Sequence, residues 1–339
     1  MRQAPDFWWQ QGKALKALAL APVSFIYGRI AGRRMQKPPQ GRVNVPVIVV
    51  GNFVAGGAGK TPTTIALAAM LQDEDYNPVI LTRGYGGSLE GPVKVDPDTH
   101  LASQVGDEAL LLAEAATTIV SSDRIQGAQA AVETGADLIL LDDGFQNPAL
   151  HRDFSLVVAE GAVGVGNGMT IPSGPLRAPL RDQLIKADAL LIIGEGEAGN
   201  RLLRRASRRG LPVLRADLTP RPNPDVTGQR VLAFAGIGRP QKFYDTLEAM
   251  GAEVVERRSF PDHHVITVAE AQEILTSAEE KGLVPVTTTK DMRRIEGSEH
   301  ELMRWLAGSA RVVTVDLVFR EERRMLDLLN RAIRNRNFR

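Results

Sequence analysis

Residues 51–62, GNFVAGGAGKTP, combine residue types that handle phosphate. Gly56, Gly57 and Gly59 let backbone N–H groups approach an anion with no Cβ in the way. Lys60 has the reach to touch β- and γ-phosphates, and the Thr61 hydroxyl is a ligand type for Mg²⁺. The apolar run just before, residues 45–50 (VPVIVV), predicts a buried parallel strand, and a helical pattern follows over roughly residues 60–71. Pro62 suits the first helical turn, where its missing N–H has no intrahelical partner anyway. Strand, glycine-rich turn and helix N-terminus predict a phosphate-binding loop whose cradle is Val54, Ala55, Gly56, Gly57, Ala58, Gly59, Lys60 and Thr61. The full G-x-x-x-x-G-K-[ST] pattern would place glycine at position 54; Val54 stands there, leaving the variant G-G-x-G-K-T. The stretch predicts binding of a nucleoside triphosphate.

Other reactive residue types follow along the chain. Asp142 and Asp143 close the apolar run 138–141, and a carboxylate at the end of a buried strand downstream of a phosphate loop is the Walker B arrangement that holds Mg²⁺. Asp107 and Glu108 open a predicted helix, as dipole partners or as chemically active acids. With Thr61, Asp142 and Asp143, Glu108 completes the set of candidate metal ligands. Residues 83–87, RGYGG, predict a loop with an aromatic platform, Tyr85, beside a cation, or else a plain surface turn. Residues 171–177, IPSGPLR, predict a rigid loop carrying Arg177. His263, next to Asp262 in FPDHH (260–264), is a surface residue or an acid–base group.

Composition narrows the classes. The 339 residues suffice for two domains of ordinary size, and 43% apolar with 24% charged residues describes a soluble globular protein. Cys is absent, so no disulfide framework or thiolate site is available, and the five His show no zinc-enzyme spacing. Residues 1–42 hold eight Lys/Arg against one acid, and residues 320–339 hold seven Arg against three acids. The net charge of the whole chain is only +1, so the body between these ends is acidic. Basic ends on an acidic body suggest an anionic partner at one pole, or two solvated faces. Phe7, Trp8 and Trp9 precede the run 13–27, KALKALALAPVSFIY, with Arg29, Arg33, Arg34 and Lys37 after it. The run is shorter than the roughly 20 apolar residues that cross a bilayer. Residues 1–42 therefore predict a helix lying in a membrane interface, or one docked on the protein's own surface.

The elements that position these groups alternate. Strands are expected at 46–50, 78–82, 118–121, 138–142, 155–159 and 189–193, with helices including 107–116 and 124–134. This predicts an α/β fold of the P-loop NTPase kind, a mostly parallel sheet over residues 43–215 with helices on both faces. A Pro-rich stretch at 219–225 marks a boundary between about 215 and 229. Strands at 231–235, 253–257, 284–288 and 312–315 then predict a second, smaller α/β domain over 229–339.

The motifs in order resemble the tetraacyldisaccharide 4′-kinases of lipid A biosynthesis: GN-x₃-GG-x-GKTP (51–62), RGYGG (83–87), GDE (106–108), DDGFQ (142–146), P-x-GPLR (172–177), AGIG-x-P (235–240), FPDHH (260–264) and TT-x-KD (287–291). The resemblance implies transfer of the γ-phosphoryl group of ATP, with Mg²⁺, to the 4′-hydroxyl of tetraacyldisaccharide 1-phosphate, giving lipid IVA. It implies a lipid substrate, peripheral attachment to the cytoplasmic face of an inner membrane, and no nucleic-acid partner; oligomeric state stays open. It makes Asp107 and His263 the acid–base pair, maps the Walker-type acids onto Asp142 and Asp143, and sets Arg177, Gln146 and Tyr85 against the substrate. Two positions depart from the family's usual residues: Asn147 where His is usual, and Thr289 where Glu is common. The rival readings are a nucleotide-switch ATPase or GTPase of the partitioning or metallocentre-assembly type, and a soluble small-molecule kinase.

Overall fold

The computed structural model describes residues 4–10 and 14–337; Lys13, at the start of the apolar N-terminal run, lies outside them. Along the chain the strands are β1 (Val47–Asn52), β2 (Pro78–Thr82), β3 (Val93–Lys94), β4 (Thr118–Val120), β5 (Leu138–Asp142), β6 (Phe154–Glu160) and β7 (Ala189–Ile193). They continue with β8 (Val213–Pro220), β9 (Arg230–Ala235), β10 (Glu253–Ser259), β11 (Val284–Thr288), β12 (Arg311–Val313) and β13 (Val315–Phe319). Nine form one sheet in the order β13-β8-β7-β6-β1-β5-β2-β4-β3, and four form a second in the order β10-β9-β11-β12. The second sheet is parallel throughout, and the first is antiparallel only at its ends, β13 on β8 and β3 on β4.

The apolar runs explain the layering. β1, β5, β6 and β7 are buried at every position, so both faces of the sheet need helical cover. Val47 and Val49 enter one core with Met35 from the N-terminal helix Ala21–Met35. Ile48 and Val50 enter the opposite core with Leu67 and Leu71 of the helix Lys60–Asp73, and with Met325, Leu329 and Ile333 of the last helix, Glu322–Asn337. Leu67 and Leu71 are fully buried, and truncating either to Ala removes about 2–5 kcal/mol.

The basic N- and C-terminal helices pack on opposite faces of the large sheet. One expectation changes: the end of the chain does not stay in the second unit. The apolar stretch expected as one strand at 312–315 divides at Thr314: β12 joins the small sheet and β13 returns to pair with β8. The small sheet is thus an insertion between β8 and β13, and the last helix helps to cover the first sheet rather than the second.

Candidate active site

The phosphate loop sits where β1 ends. Its turn requires glycine at position 59, where φ is +84° and a Cβ would lie 2.5 Å from Ile193 Cδ1. The helix Lys60–Asp73 begins at the next residue, so its free N–H groups face the loop. Val54 is tolerated in place of glycine because the backbone there bridges to Leu176 instead of turning inward. The Ala55 N–H donates to Pro175 O at 2.8 Å, so Val54 and Ala55 brace the loop against the 175–177 segment. Gly56 and Gly57 border open space. Together with Ala58, Lys60 and Thr61, they line a cleft of about 2130 Å³.

Acids and cations gather around this loop. Lys60 Nζ lies 3.7 Å from Asp143 Oδ1, and Arg177 Nη1 lies 2.8 Å from the same oxygen. Arg177 is fixed by donating from Nε to Val54 O at 3.0 Å. Burial would push the Asp143 carboxyl up, but Lys60 and Arg177 outweigh it and hold it below its ordinary value. Asp142 accepts the Thr64 hydroxyl at 3.1 Å, and burial, then the nearby Glu108 charge, push its carboxyl up to about 7. Gln146 lines the cleft, yet its amide donates to Asn52 O at 2.7 Å and Gln183 Oε1 at 3.0 Å, so it also holds β1 in place. Asn147, the first departure, folds back to accept the Ala149 N–H at 3.0 Å; Thr289, the second, has its hydroxyl 3.2 Å from that of Thr314.

A second charged cluster lies where the small sheet meets the large one. Gly106, φ +90°, is forced because a Cβ would fall 2.5 Å from Tyr85 O, and the helix Asp107–Ala115 starts immediately after it. Asp107 and Glu108 therefore project from a helix N-terminus, where partial positive charge favours carboxylates. His263 arrives from the loop after β10 with φ +59°, a conformation uncommon for a non-glycine residue. Its Nδ1 is 3.4 Å from Asp107 Oδ1, and its Nε2 is 3.9 Å from Asp262 Oδ1. The Tyr85 ring stands 5.1 Å from the imidazole.

The electrostatics follow from these contacts. Burial would raise the Asp107 carboxyl, but His263, Arg294 and Lys290 hold it far below the usual carboxylate range. The hydrogen bond to Asp107 raises His263 above its ordinary value, with burial opposing. Burial works against both charges of the Lys290–Glu108 ion pair, and their attraction outweighs it.

The large sheet's loops thus bring Lys60, Thr61, Asp142, Asp143, Gln146 and Arg177 together, and the junction between sheets adds Asp107, Glu108, Tyr85 and His263. Sequence reading missed several partners. Arg294 Nε donates to Asp107 Oδ2 at 3.0 Å, 187 residues away. Arg124 is buried beside Asp142 and Asp143, its only sequence cue an Arg at the start of a helix after a strand. Arg239 and Lys242 pair with Glu160 at 2.5 and 3.3 Å across the junction. Among the described residues no three His, Cys, Asp or Glu converge as a protein cage for a metal. Mg²⁺ at phosphates needs none, since it keeps waters and phosphate oxygens beside one or two carboxylates.

A phosphate loop on a parallel sheet, a strand-end acid pair and a His–carboxylate pair in one cleft define a P-loop phosphotransferase. The sequence model of the tetraacyldisaccharide-1-P 4′-kinase family matches residues 16–334. A tetraacyldisaccharide 4′-kinase of Rhizobium leguminosarum bv. trifolii is 47% identical over 331 residues, covering 98% of this chain and 92% of that protein. One of Methylobacterium nodulans is 51% identical over 295 residues, covering 86% and 87%. The crystal structure of LpxK from Aquifex aeolicus in complex with ATP superposes with a TM-score of 0.70 at 26% identity, covering 94% of this chain and 99% of that one. The chain belongs to the tetraacyldisaccharide 4′-kinase family, and it is a phosphotransferase.

Proposed function

We propose that the protein transfers the γ-phosphoryl group of ATP to the 4′-hydroxyl of tetraacyldisaccharide 1-phosphate, with His263 as base. The observation that carries the residue assignment is the 3.4 Å approach of His263 Nδ1 to the buried Asp107 Oδ1, with His263 lining the cleft that also holds Lys60. With its Nδ1–H directed at Asp107, the neutral imidazole keeps the Nε2 lone pair to take the proton of a sugar hydroxyl. The hydroxyl oxygen then bonds to the γ-phosphorus as the bond to the β,γ-bridging oxygen breaks and ADP leaves. Asp107 stabilises the imidazolium that forms. Lys60 and Arg177 offset the charge on the transferring group, easing their hold on Asp143 as they do so.

The residues fit Mg²⁺. Asp142 is a buried carboxyl that accepts a hydrogen bond from the Thr64 hydroxyl, and Thr61 lines the cleft on the same helix turn. Asp142 and Thr61 are the proposed holders. Asp143 is engaged by Arg177 and Lys60, and Glu108 by Lys290, which leaves both as outer members of the site. When bound, Mg²⁺ supplies charge neutralisation at the β- and γ-phosphates.

The N-terminal segment suits a lipid acceptor at the cytoplasmic face of the inner membrane. One side of it is docked: Trp8 Nε1 donates to Pro172 O at 2.9 Å and the Ser24 hydroxyl to Thr170 O at 2.7 Å. The other side exposes Leu15 (85%), Phe25 (70%) and Ile30 (64%) beside Arg29 and Arg33. No helix of the described residues is long and apolar enough to cross a membrane, so this face is proposed to lie on the bilayer. The cleft wall includes Trp8, Trp9, Tyr27 and Ile30, which gives acyl chains an apolar approach.

The test is a kinase assay with the full-length protein, γ-labelled ATP, Mg²⁺ and tetraacyldisaccharide 1-phosphate in detergent micelles. Label in the lipid is expected. ATP hydrolysis with no labelled lipid would overturn the assignment in favour of a nucleotide switch.

A further inference from the structure

Arg294 is the least exposed cation at the junction, with its side chain 5% accessible in the helix Thr289–Ile295 of the small unit. Its guanidinium is held by its own unit first. Nη1 donates to Asp291 Oδ1 at 2.7 Å and to Gly236 O at 2.8 Å. Asp291 is fixed in turn, accepting the Gly236 N–H at 3.0 Å and the Thr288 hydroxyl at 2.7 Å. The remaining edge crosses to the large unit, where Nε, at 3.0 Å, and Nη2 both donate to Asp107 Oδ2. That arrangement leaves Oδ1 as the oxygen toward His263. Nη2 also lies 3.5 Å from His263 Nδ1, but an Nδ1 that carries a proton has no lone pair to accept it. In the state ready to act as base, Arg294 reaches His263 only through Asp107.

We propose that Arg294 is a positioning residue for phosphoryl transfer. Its rigid fork sets the rotation of the Asp107 carboxylate so that Oδ1 meets His263, and it does so only when the small unit is seated on the large one. The inference rests on the Asp107–His263 reading. A guanidinium is needed because its fixed, planar donors hold Gly236 O, Asp291 Oδ1 and Asp107 Oδ2 at once, which a lysine ammonium on a flexible stem does not reproduce.

The experiment measures kcat, KM for ATP and ATP affinity on the full-length protein with micellar tetraacyldisaccharide 1-phosphate. Removing the side chain would leave the Asp107 and Asp291 carboxylates without their shared cation, so Arg294→Lys, which keeps the charge, is the primary variant. Arg294→Lys is expected to lower kcat by ~10²-fold, the scale of a misplaced catalytic group, while KM and Kd for ATP stay within about twofold. In an Asp107→Ala background the same substitution should change kcat by less than about twofold, because the group it positions is gone. Wild-type kcat in Arg294→Lys, or an equal loss in both backgrounds, would overturn the positioning role. Unchanged turnover in Asp107→Ala alone would instead sink the base assignment, so the two failures are distinct.

Discussion

The phosphate loop and the junction between the sheets gather charge by different routes. Lys60, Arg177, Asp142 and Asp143 all come from the unit built on the nine-stranded sheet and are braced by its own backbone, as in the Arg177 contact to Val54 O. At the junction, Asp107 and Glu108 come from the large unit, whereas His263, Lys290 and Arg294 come from the inserted one. The charged cluster at the phosphate loop is therefore built from one unit, while the proposed base depends on two units meeting. Damage at the junction should slow transfer without loosening ATP, and damage at the loop should do the reverse first.

The largest effect is expected at Asp107. Asp107→Ala should lower kcat by ~10³-fold, within the range for general-base catalysis, with ATP affinity nearly unchanged in equilibrium titration. A parallel fall in ATP affinity would erase the distinction between the two regions. Next comes Lys60→Ala, which removes a charge-assisted contact to phosphate and should weaken ATP binding by ~10–100-fold, read by the same titration. A Lys60→Ala protein that binds ATP as wild type would contradict the loop assignment.

The pH dependence sharpens the contrast. His263 is raised above its ordinary value of about 6.5 chiefly by Asp107, and a base must be neutral, so kcat should fall as pH drops through the raised value. Stability runs the other way. The His263–Asp107 contact contributes fully below the unfolded value near 6.5 and is lost as pH rises through the folded one. Asp107→Asn should move the acidic limb of its residual activity down, since burial then acts on His263 with less opposition. A limb that stays in place would remove His263 from the role. The smallest effect is expected from Glu160→Gln, which releases Arg239 and Lys242 at a partly exposed pair and should change kcat by only about two- to fivefold.

Legibility in the sequence tracked how local each device is. The phosphate loop was readable because strand, glycines, Lys60 and Thr61 are contiguous and act through spacing. Asp142 and Asp143 were readable because a polar pair ending the run 138–141 interrupts an otherwise apolar pattern. Arg294 was not, because its role depends on a helix seated 187 residues from Asp107, just beyond the TT-x-KD motif that ends at Asp291. The fate of β13 was equally hidden. It is an edge strand, half-buried, whose partner β8 lies across the whole inserted unit, and β8 carries Arg215 and Asp217 where the central strands are apolar. Edge strands with one polar side carry a weaker signal than the doubly buried runs of β1 and β5.

The most direct measurement follows His263→Ala, with ATP affinity and the single-turnover rate of phosphoryl transfer to tetraacyldisaccharide 1-phosphate taken on the same sample. ATP affinity within about twofold of wild type, with transfer slowed by ~10²–10⁴-fold, is the predicted result. Transfer at the wild-type rate, or ATP affinity lost along with it, would contradict a base assembled across the junction.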